Sequence, residues 1–194
     1  MLFRSVWYLL AKHPDVQARV GEEIGEVLNG RLPTGQDVPK LRHTEMVLKE
    51  TLRLYPPAVG TFARQANADV EIGGYTIRKG GIVRLLSYPL HHDPRWFADP
   101  ERFDPERFAP GRAEQIPQYA YFPFGGGPRV CVGNQFAMME MTLILATILP
   151  RFRLELPPGQ PEPELSVTMS LRPKGGLQMT VNERVPAALA GAHA

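Results

Sequence analysis

An α+β fold, mainly α-helical with two small antiparallel β-sheets, is what this 194-residue sequence predicts, on three observations. Apolar residues recur at helical spacing through the first 55 residues and again after residue 134. Period-two alternation is confined to residues 64–86 and 152–181. Proline, at 20 residues about twice average usage, gathers in the second half, which predicts a long coil with defined turns.

The helices come first. Val6 to Lys12 reads as an apolar helix end, and His13-Pro14-Asp15 restarts the chain, with Pro14 suited to a first helical position and Asp15 to the first turn. Val16, Val20, Ile24, Val27 and Leu28 keep one face apolar down to Asn29-Gly30, a C-terminal stop. A turn-rich link covers residues 31–40, and a second amphipathic helix spans Leu41 to Tyr55 until Pro56-Pro57 ends it. Val70 and Ile72, a Gly73-Gly74 turn, Tyr75 and Ile77, a Lys79-Gly80-Gly81 turn and Ile82 to Leu86 predict a three-stranded meander. Residues 91–121 show little periodicity, and an unstructured stretch this long inside a compact domain is usually functional. Asn134 to Leu149 is apolar nearly all round, hence a buried helix closed by Pro150. Strands follow at Phe152 to Leu156, at Leu165 to Leu171 and at Leu177 to Val181, and residues 183–194 read as a frayed tail.

Composition narrows the function classes. The chain fits a single domain, residues 1–194, with 22% charged and 43% apolar residues, an ordinary globular profile. Net charge is +2 with the basic residues scattered, so neither a nucleic-acid footprint nor a polybasic membrane patch is indicated. No apolar run reaches the roughly 18 residues of a membrane span, and the first residues lack a small-residue cleavage site. No membrane segment and a cytoplasmic location are the expectation. The single cysteine excludes an internal disulfide and leaves a metal ligand, a nucleophile or a buried apolar residue.

That cysteine stands in Phe122-Pro123-Phe124-Gly125-Gly126-Gly127-Pro128-Arg129-Val130-Cys131-Val132-Gly133, directly before the last helix. Unsatisfied amides and the positive dipole end of a helix favour an anionic sulfur there. Gly127 and Gly133 let the backbone approach the sulfur and a flat cofactor face. Arg129, projecting oppositely, can pair with a carboxylate on the cofactor rim, and Phe124 supplies an aromatic wall. The glycine spacing, Arg129 and the helix together favour Cys131 as a thiolate ligand to iron. A nucleophile is the weaker rival, because no pattern among the five histidines selects a partner base.

The spacing Phe124-x-x-Gly127-x-Arg129-x-Cys131-x-Gly133 resembles the haem-binding signature of the cytochrome P450 family at every signature position. Lys49 to Pro57 is similar to the family's Glu-x-x-Arg helix. The resemblance implies a buried Glu50–Arg53 pair completed by Arg107 of Pro105-Glu106-Arg107-Phe108, with Arg102 of the duplicated Pro100-Glu101-Arg102-Phe103 the lesser candidate. It further implies that Arg64 contacts a haem propionate, and that Pro57 to Phe62 and Val167 to Leu171 border a substrate pocket. Leu90-His91-His92-Asp93-Pro94 resembles the family's His-Arg-Asp-Pro segment with His92 in place of Arg, and both histidines read as structural.

Carried over residue by residue, the resemblance implies haem b (iron protoporphyrin IX), with Cys131 as the proximal ligand. Arg129, Arg64, Phe124, Gly127 and Gly133 are its cofactor-binding residues, and Glu50, Arg53 and Arg107 form the structural network. The implied function is a haem-thiolate monooxygenase inserting one atom of O2 into a small apolar organic substrate. Its electrons come from a separate reductase or ferredoxin, since no flavin or iron–sulfur motif is present. The resemblance covers only the C-terminal half of the family fold: Met1 to Pro14 resembles the end of the long helix that crosses the distal haem face. The distal oxygen-activating residues are therefore expected outside this chain. Two further readings stand beside the monooxygenase: a truncated, non-catalytic haem-binding relic, and a thiolate-haem isomerase or peroxygenase that needs no reductase.

Overall fold

The computed structural model describes residues 2–167 and 170–184. Two helices, α1 (Leu2–Lys12) and α2 (Pro14–Leu28), meet at His13, where Pro14 starts the second one. Asn29 closes α2 in the left-handed conformation (φ 45°), returning its amide to Gly25, and Gly30 follows at φ 82°. The next helix, α3 (Arg42–Leu54), has no capping side chain of its own. Glu23 of α2 serves instead: its carboxylate accepts from the amides of His43 (2.6 Å) and Thr44 (2.9 Å) and from the Thr44 hydroxyl (2.7 Å). An anion on these orphan amides is favourable both as a hydrogen-bond acceptor and against the helix dipole.

The core lies where α1, α2 and α3 meet α5 (Asn134–Ile148) and strand β5 (Phe152–Glu155), filled by Val6, Leu10, Ile24, Leu48, Leu52 and Leu145. Buried Gln17 stitches this junction. Its amide nitrogen donates to the carbonyls of Leu10 and Leu154, both at 3.0 Å, and its oxygen accepts from the Leu154 amide at 3.2 Å. Three otherwise unpaired groups at an element edge are satisfied by one side chain.

The strands depart from expectation in pairing. Among the described residues there are four two-stranded antiparallel ladders rather than two sheets. They form two nested sets. β2 (Val70–Ile72) and β3 (Tyr75–Ile77) make a hairpin inside the ladder of β1 (Arg64–Gln65) with β4 (Ile82–Val83). β6 (Leu165–Val167) and β7 (Leu171–Pro173) make a hairpin inside the ladder of β5 with β8 (Thr180–Glu183). The predicted three-stranded meander fails because Gly80 (φ 85°) swings the chain past β3 and back to the segment before β2. There Gly80 donates to Ala66 and Ala66 to Gly81. Gly73 and Gly74, both at positive φ, close the inner hairpin as a turn of the primed type. Leu165 to Leu171, expected as one strand, folds back on itself with Val167 opposite Leu171, and Thr168 and Met169 lie outside the described residues. Of the expected tail, Glu183 pairs with Phe152 in the last ladder and residues 185–194 lie outside the described residues.

Two further differences concern helices. A short helix, α4 (Ser87–His91), forms where the sequence shows no period, because five residues are too few to display one. α5 is half buried rather than enclosed: Met141, Thr142, Leu145 and Ala146 face the core while Phe136 is 63% exposed. It packs against α3 and the 3₁₀ turn Val38–Lys40.

Candidate functional site

Beneath the site lies a buried ion network on α3. Glu50 and Arg53, both fully buried, pair through two parallel contacts, Nε–Oε2 at 2.8 Å and Nη2–Oε1 at 2.9 Å. Arg107 brings its Nε to 3.4 Å from Glu50 Oε1, and the same oxygen accepts from the Asp104 amide at 3.0 Å. Arg53 Nη1 donates to the His91 carbonyl (2.7 Å) and Nη2 to the Arg102 carbonyl (3.2 Å), and Arg107 Nη2 donates to the Asp99 carbonyl (2.7 Å). Arg102 thus contributes main chain and Arg107 contributes its guanidinium. A dry ion pair is expensive to desolvate and holds only when its remaining hydrogen-bonding positions are filled. Here the His91 and Arg102 carbonyls fill them for Arg53 and the Asp104 amide for Glu50, which fastens the coil at residues 91–104 to α3, while Arg107 Nε is buried in ion-pair contact alone.

The cysteine loop rises from that base. The Phe122 carbonyl accepts from Gly125 (3.0 Å), a 3₁₀ turn runs Gly127–Arg129, and the Cys131 amide donates to the Phe124 carbonyl at 2.9 Å. Gly133 stands at the N-cap of α5, two residues beyond the free, exposed thiol of Cys131. The turn needs its glycines unequally. Gly127 sits at φ 67° with nothing within 4 Å of where a Cβ would stand, so backbone geometry and open space both suit it. A Cβ on Gly126 would come within 2.9 Å of the Tyr119 ring. One on Gly133 would meet Cys131 Sγ at an ordinary 3.9 Å, so the sulfur does not require a glycine there.

A cavity of about 920 Å³ opens beside the loop, walled by Thr61, Val83, Leu85, Leu86, Leu90 and Phe122, with Gly127 in its lining. Arg64 from β1 and Arg129 from the loop both border it and also share a smaller hollow with Phe62. The fold therefore brings Arg64 and Arg129 from distant segments to one edge of a largely apolar space whose lining also holds Arg84. The residues fit a flat, largely apolar group with an anionic edge: apolar walls, paired cations and an unobstructed glycine face. Phe124 does not line this cavity. It is half-buried against the core and borders a separate hollow with Val130 and Met138. Cys131 and Gly133 also lie off the lining, one turn of chain past Arg129.

The family model for cytochrome P450 matches residues 3–181. The chain belongs to the cytochrome P450 family. It is 43% identical over 179 residues to cytochrome P450 4V2 of Mus musculus, an alignment covering 91% of this chain and 34% of that protein. It is 42% identical over 165 residues to cyclooctatin synthase of Streptomyces melanosporofaciens, covering 84% of this chain and 36% of the relative. Cyclooctat-9-en-7-ol 5-monooxygenase of the same organism is 44% identical over 154 residues, 79% of this chain and 33% of its own length. The chain thus spans about a third of the length of the curated relatives it matches.

One residue of this P450 chain gains a part that sequence reasoning did not give it. His91 is wholly buried, and burial pushes its pKa down from the usual 6.5 to about 4, so the ring is neutral at pH 7. Its Nε2 lies 3.0 Å from the amide of Phe122 and accepts from it, and the ring stacks on Tyr121 at 5.3 Å. The signal was in the His91-His92-Asp93-Pro94 segment, but nothing in the sequence distinguishes which histidine turns inward. His92, less enclosed, turns away from the loop: its Nδ1 lies 2.8 Å from the Tyr88 carbonyl, its ring against Tyr88 at 4.4 Å and its Nε2 4.0 Å from Glu101. No helix among the described residues is long and apolar enough to cross a membrane.

Proposed function

We propose that the chain is the thiolate-bearing portion of a haem monooxygenase, in which the Cys131 thiolate would hold the iron of haem b. The observation that carries this reading is the placement of Arg64 and Arg129 on one edge of an apolar cavity beside the loop that holds Cys131. In such a protein, haem iron bound through a thiolate supplies O2 activation and transfer of one oxygen atom to an organic substrate. The work of this chain's own residues is binding and orientation. Cys131 presents its sulfur from a loop whose ends are pinned by the Phe124 carbonyl and by α5. The guanidinium groups of Arg64 and Arg129 would pair with the cofactor's carboxylates, and Leu85, Leu86 and Val83 would keep water from its apolar face. Similarity to the Streptomyces cyclooctat-9-en-7-ol 5-monooxygenase supports the reaction class. An apolar small molecule as substrate and a separate reductase or ferredoxin as electron donor complete the proposal.

The test is a carbon-monoxide difference spectrum of the reduced full-length protein. A Soret band at the red-shifted thiolate position is expected, and Cys131→Ala is expected to abolish it. A wild-type spectrum of the histidine-ligated kind, or a thiolate band that survives Cys131→Ala, sinks the reading.

A further inference from the structure

We infer that His91 is a positioning residue for the cysteine loop, its main chain clamped by Arg53 and its ring clamping the amide of Phe122. Hydrogen bonds joined by short stretches of covalent chain connect the buried ion pair to the sulfur-bearing residue. Arg53 Nη1 donates to the His91 carbonyl at 2.7 Å, and His91 Nε2 accepts from the Phe122 amide at 3.0 Å. The Phe122 carbonyl accepts from Gly125 at 3.0 Å, and the Phe124 carbonyl accepts from the Cys131 amide at 2.9 Å. Beside it, Tyr121 stacks on the His91 ring and donates its hydroxyl to the Lys49 carbonyl at 3.0 Å, so residues 121 and 122 are both tied back to α3 through or against His91.

The choice of residue type argues for this role. An acceptor at Nε2 fixes the proton on Nδ1, and Nδ1 is buried with no hydrogen-bond partner among the described residues. An apolar side chain of similar size would remove that unsatisfied donor, whose burial is costly. What histidine supplies at this place and an apolar residue does not is the acceptor for Phe122. The ring also meets Phe97 and Phe122 edge-on, at 6.4 and 5.6 Å, so its orientation is set by packing from several sides.

The measurement is hydrogen–deuterium exchange of the full-length protein at pH 7, read on peptides covering residues 120–131 and on α3 as the internal control. His91→Phe keeps an aromatic ring and removes the acceptor, so the Phe122 and Cys131 amides should exchange about tenfold faster or more, with α3 unchanged. His91→Gln carries a carbonyl oxygen near the Nε2 position and should stay within about threefold of wild type, the range of a retained hydrogen bond. In the carbon-monoxide spectrum, His91→Phe should move part of the signal from the thiolate-type to the thiol-type band, and His91→Gln should not. Unchanged exchange in His91→Phe overturns the role, as does acceleration spread equally over α3, or, in a protein that shows the thiolate band, a loosened loop with that band unmoved. Should His91→Phe not fold, His91→Gln decides: retained protection of Phe122 supports the role, and loss in a folded protein overturns it. The spectral arm rests on Cys131 being the iron ligand, whereas the exchange arm does not. Loop protection that depends on residue 91 in a protein lacking a thiolate band would leave the positioning role standing and remove the ligand reading.

Discussion

Protonation of His91 places two donors, its own Nε2–H and the Phe122 amide, against each other across 3.0 Å. The buried ring resists this: desolvation first, then the Arg53 and His92 charges, hold its pKa near 4 against 6.5 for a free histidine. Between those values the unfolded chain carries a proton at His91 that the folded chain does not, so the His91 contribution to stability is complete above pH 6.5 and falls as pH drops toward 4, in the same direction as those of His13 and His43, which burial also lowers. The loss over the window is on the order of 3 kcal/mol, and urea midpoints at pH 7 and pH 4.5 measure it. In His91→Gln the drop between those two pH values should shrink markedly, and a full-size drop in that variant would mean another group is responsible. The rim arginines make a second residue-level case. Each guanidinium is exposed and, on the proposed function, would supply one charge to a cofactor edge, so Arg129→Ala should weaken haem affinity by roughly tenfold, with Arg64→Ala similar and Arg129→Lys milder. Haem titration of the apoprotein reads this, and an unaltered affinity in the Arg64→Ala/Arg129→Ala double variant would remove both from the binding edge.

Elements here are held by side chains borrowed from other elements, and the two halves of one sequence duplication show the consequence. Pro100-Glu101-Arg102-Phe103 and Pro105-Glu106-Arg107-Phe108 look alike in sequence, yet Arg102 offers a carbonyl to Arg53 while Arg107 sends a guanidinium to Glu50. Arg107→Ala leaves the Glu50 carboxylate under-compensated in a dry site and should cost about 3 kcal/mol or more. Arg102→Ala keeps the carbonyl and should stay within about 0.5 kcal/mol of wild type. Equal losses in chemical denaturation would show that the network does not discriminate between them. The cap on α3 is borrowed in the same way, and Glu23→Ala should destabilise by about 1–2 kcal/mol. What was legible in the sequence follows the range of the cause. Helix ends set by Pro14, Asn29 and Pro56, and the hairpin at Gly73-Gly74, come from local backbone chemistry and could be read directly. The return of β4 to β1, the fold-back at residues 167–171 and the Glu23 cap depend on partners distant in sequence, and no local pattern encodes them. At the site, the loop motif marked Cys131 and Arg129, while the inward turn of His91 emerges only when the coil at 91–104 is laid on α3.

Across the whole molecule, stability is distributed unevenly, and the distribution is matched to where the site stands. The α1–α2–α3–α5 core and its Glu50–Arg53 pair are fully dry, whereas the β2–β3 hairpin is exposed along nearly its whole length, with Val70, Ile72 and Tyr75 all facing solvent. Its ion pair, Arg78 with Asp69 at 2.9 Å, is also exposed, and such pairs contribute about 0–1 kcal/mol. A two-stranded hairpin without an apolar face to bury is marginal by itself. It should therefore open locally, independent of global unfolding, while α3 amides exchange only when the core opens. Native-state hydrogen exchange should show residues 70–77 with protection at least about a hundredfold below that of residues 47–53, consistent with a core that opens only globally, and adding low urea should alter only the latter. The cysteine loop ought to fall between these limits. It is exposed like the hairpin but tied at Phe122 and Cys131 to groups that rest on the core, so its opening reports the strength of those ties. Hairpin protection equal to that of α3 would mean the chain unfolds as one unit, and the loop would then owe its order to global stability, not to the anchoring beneath it.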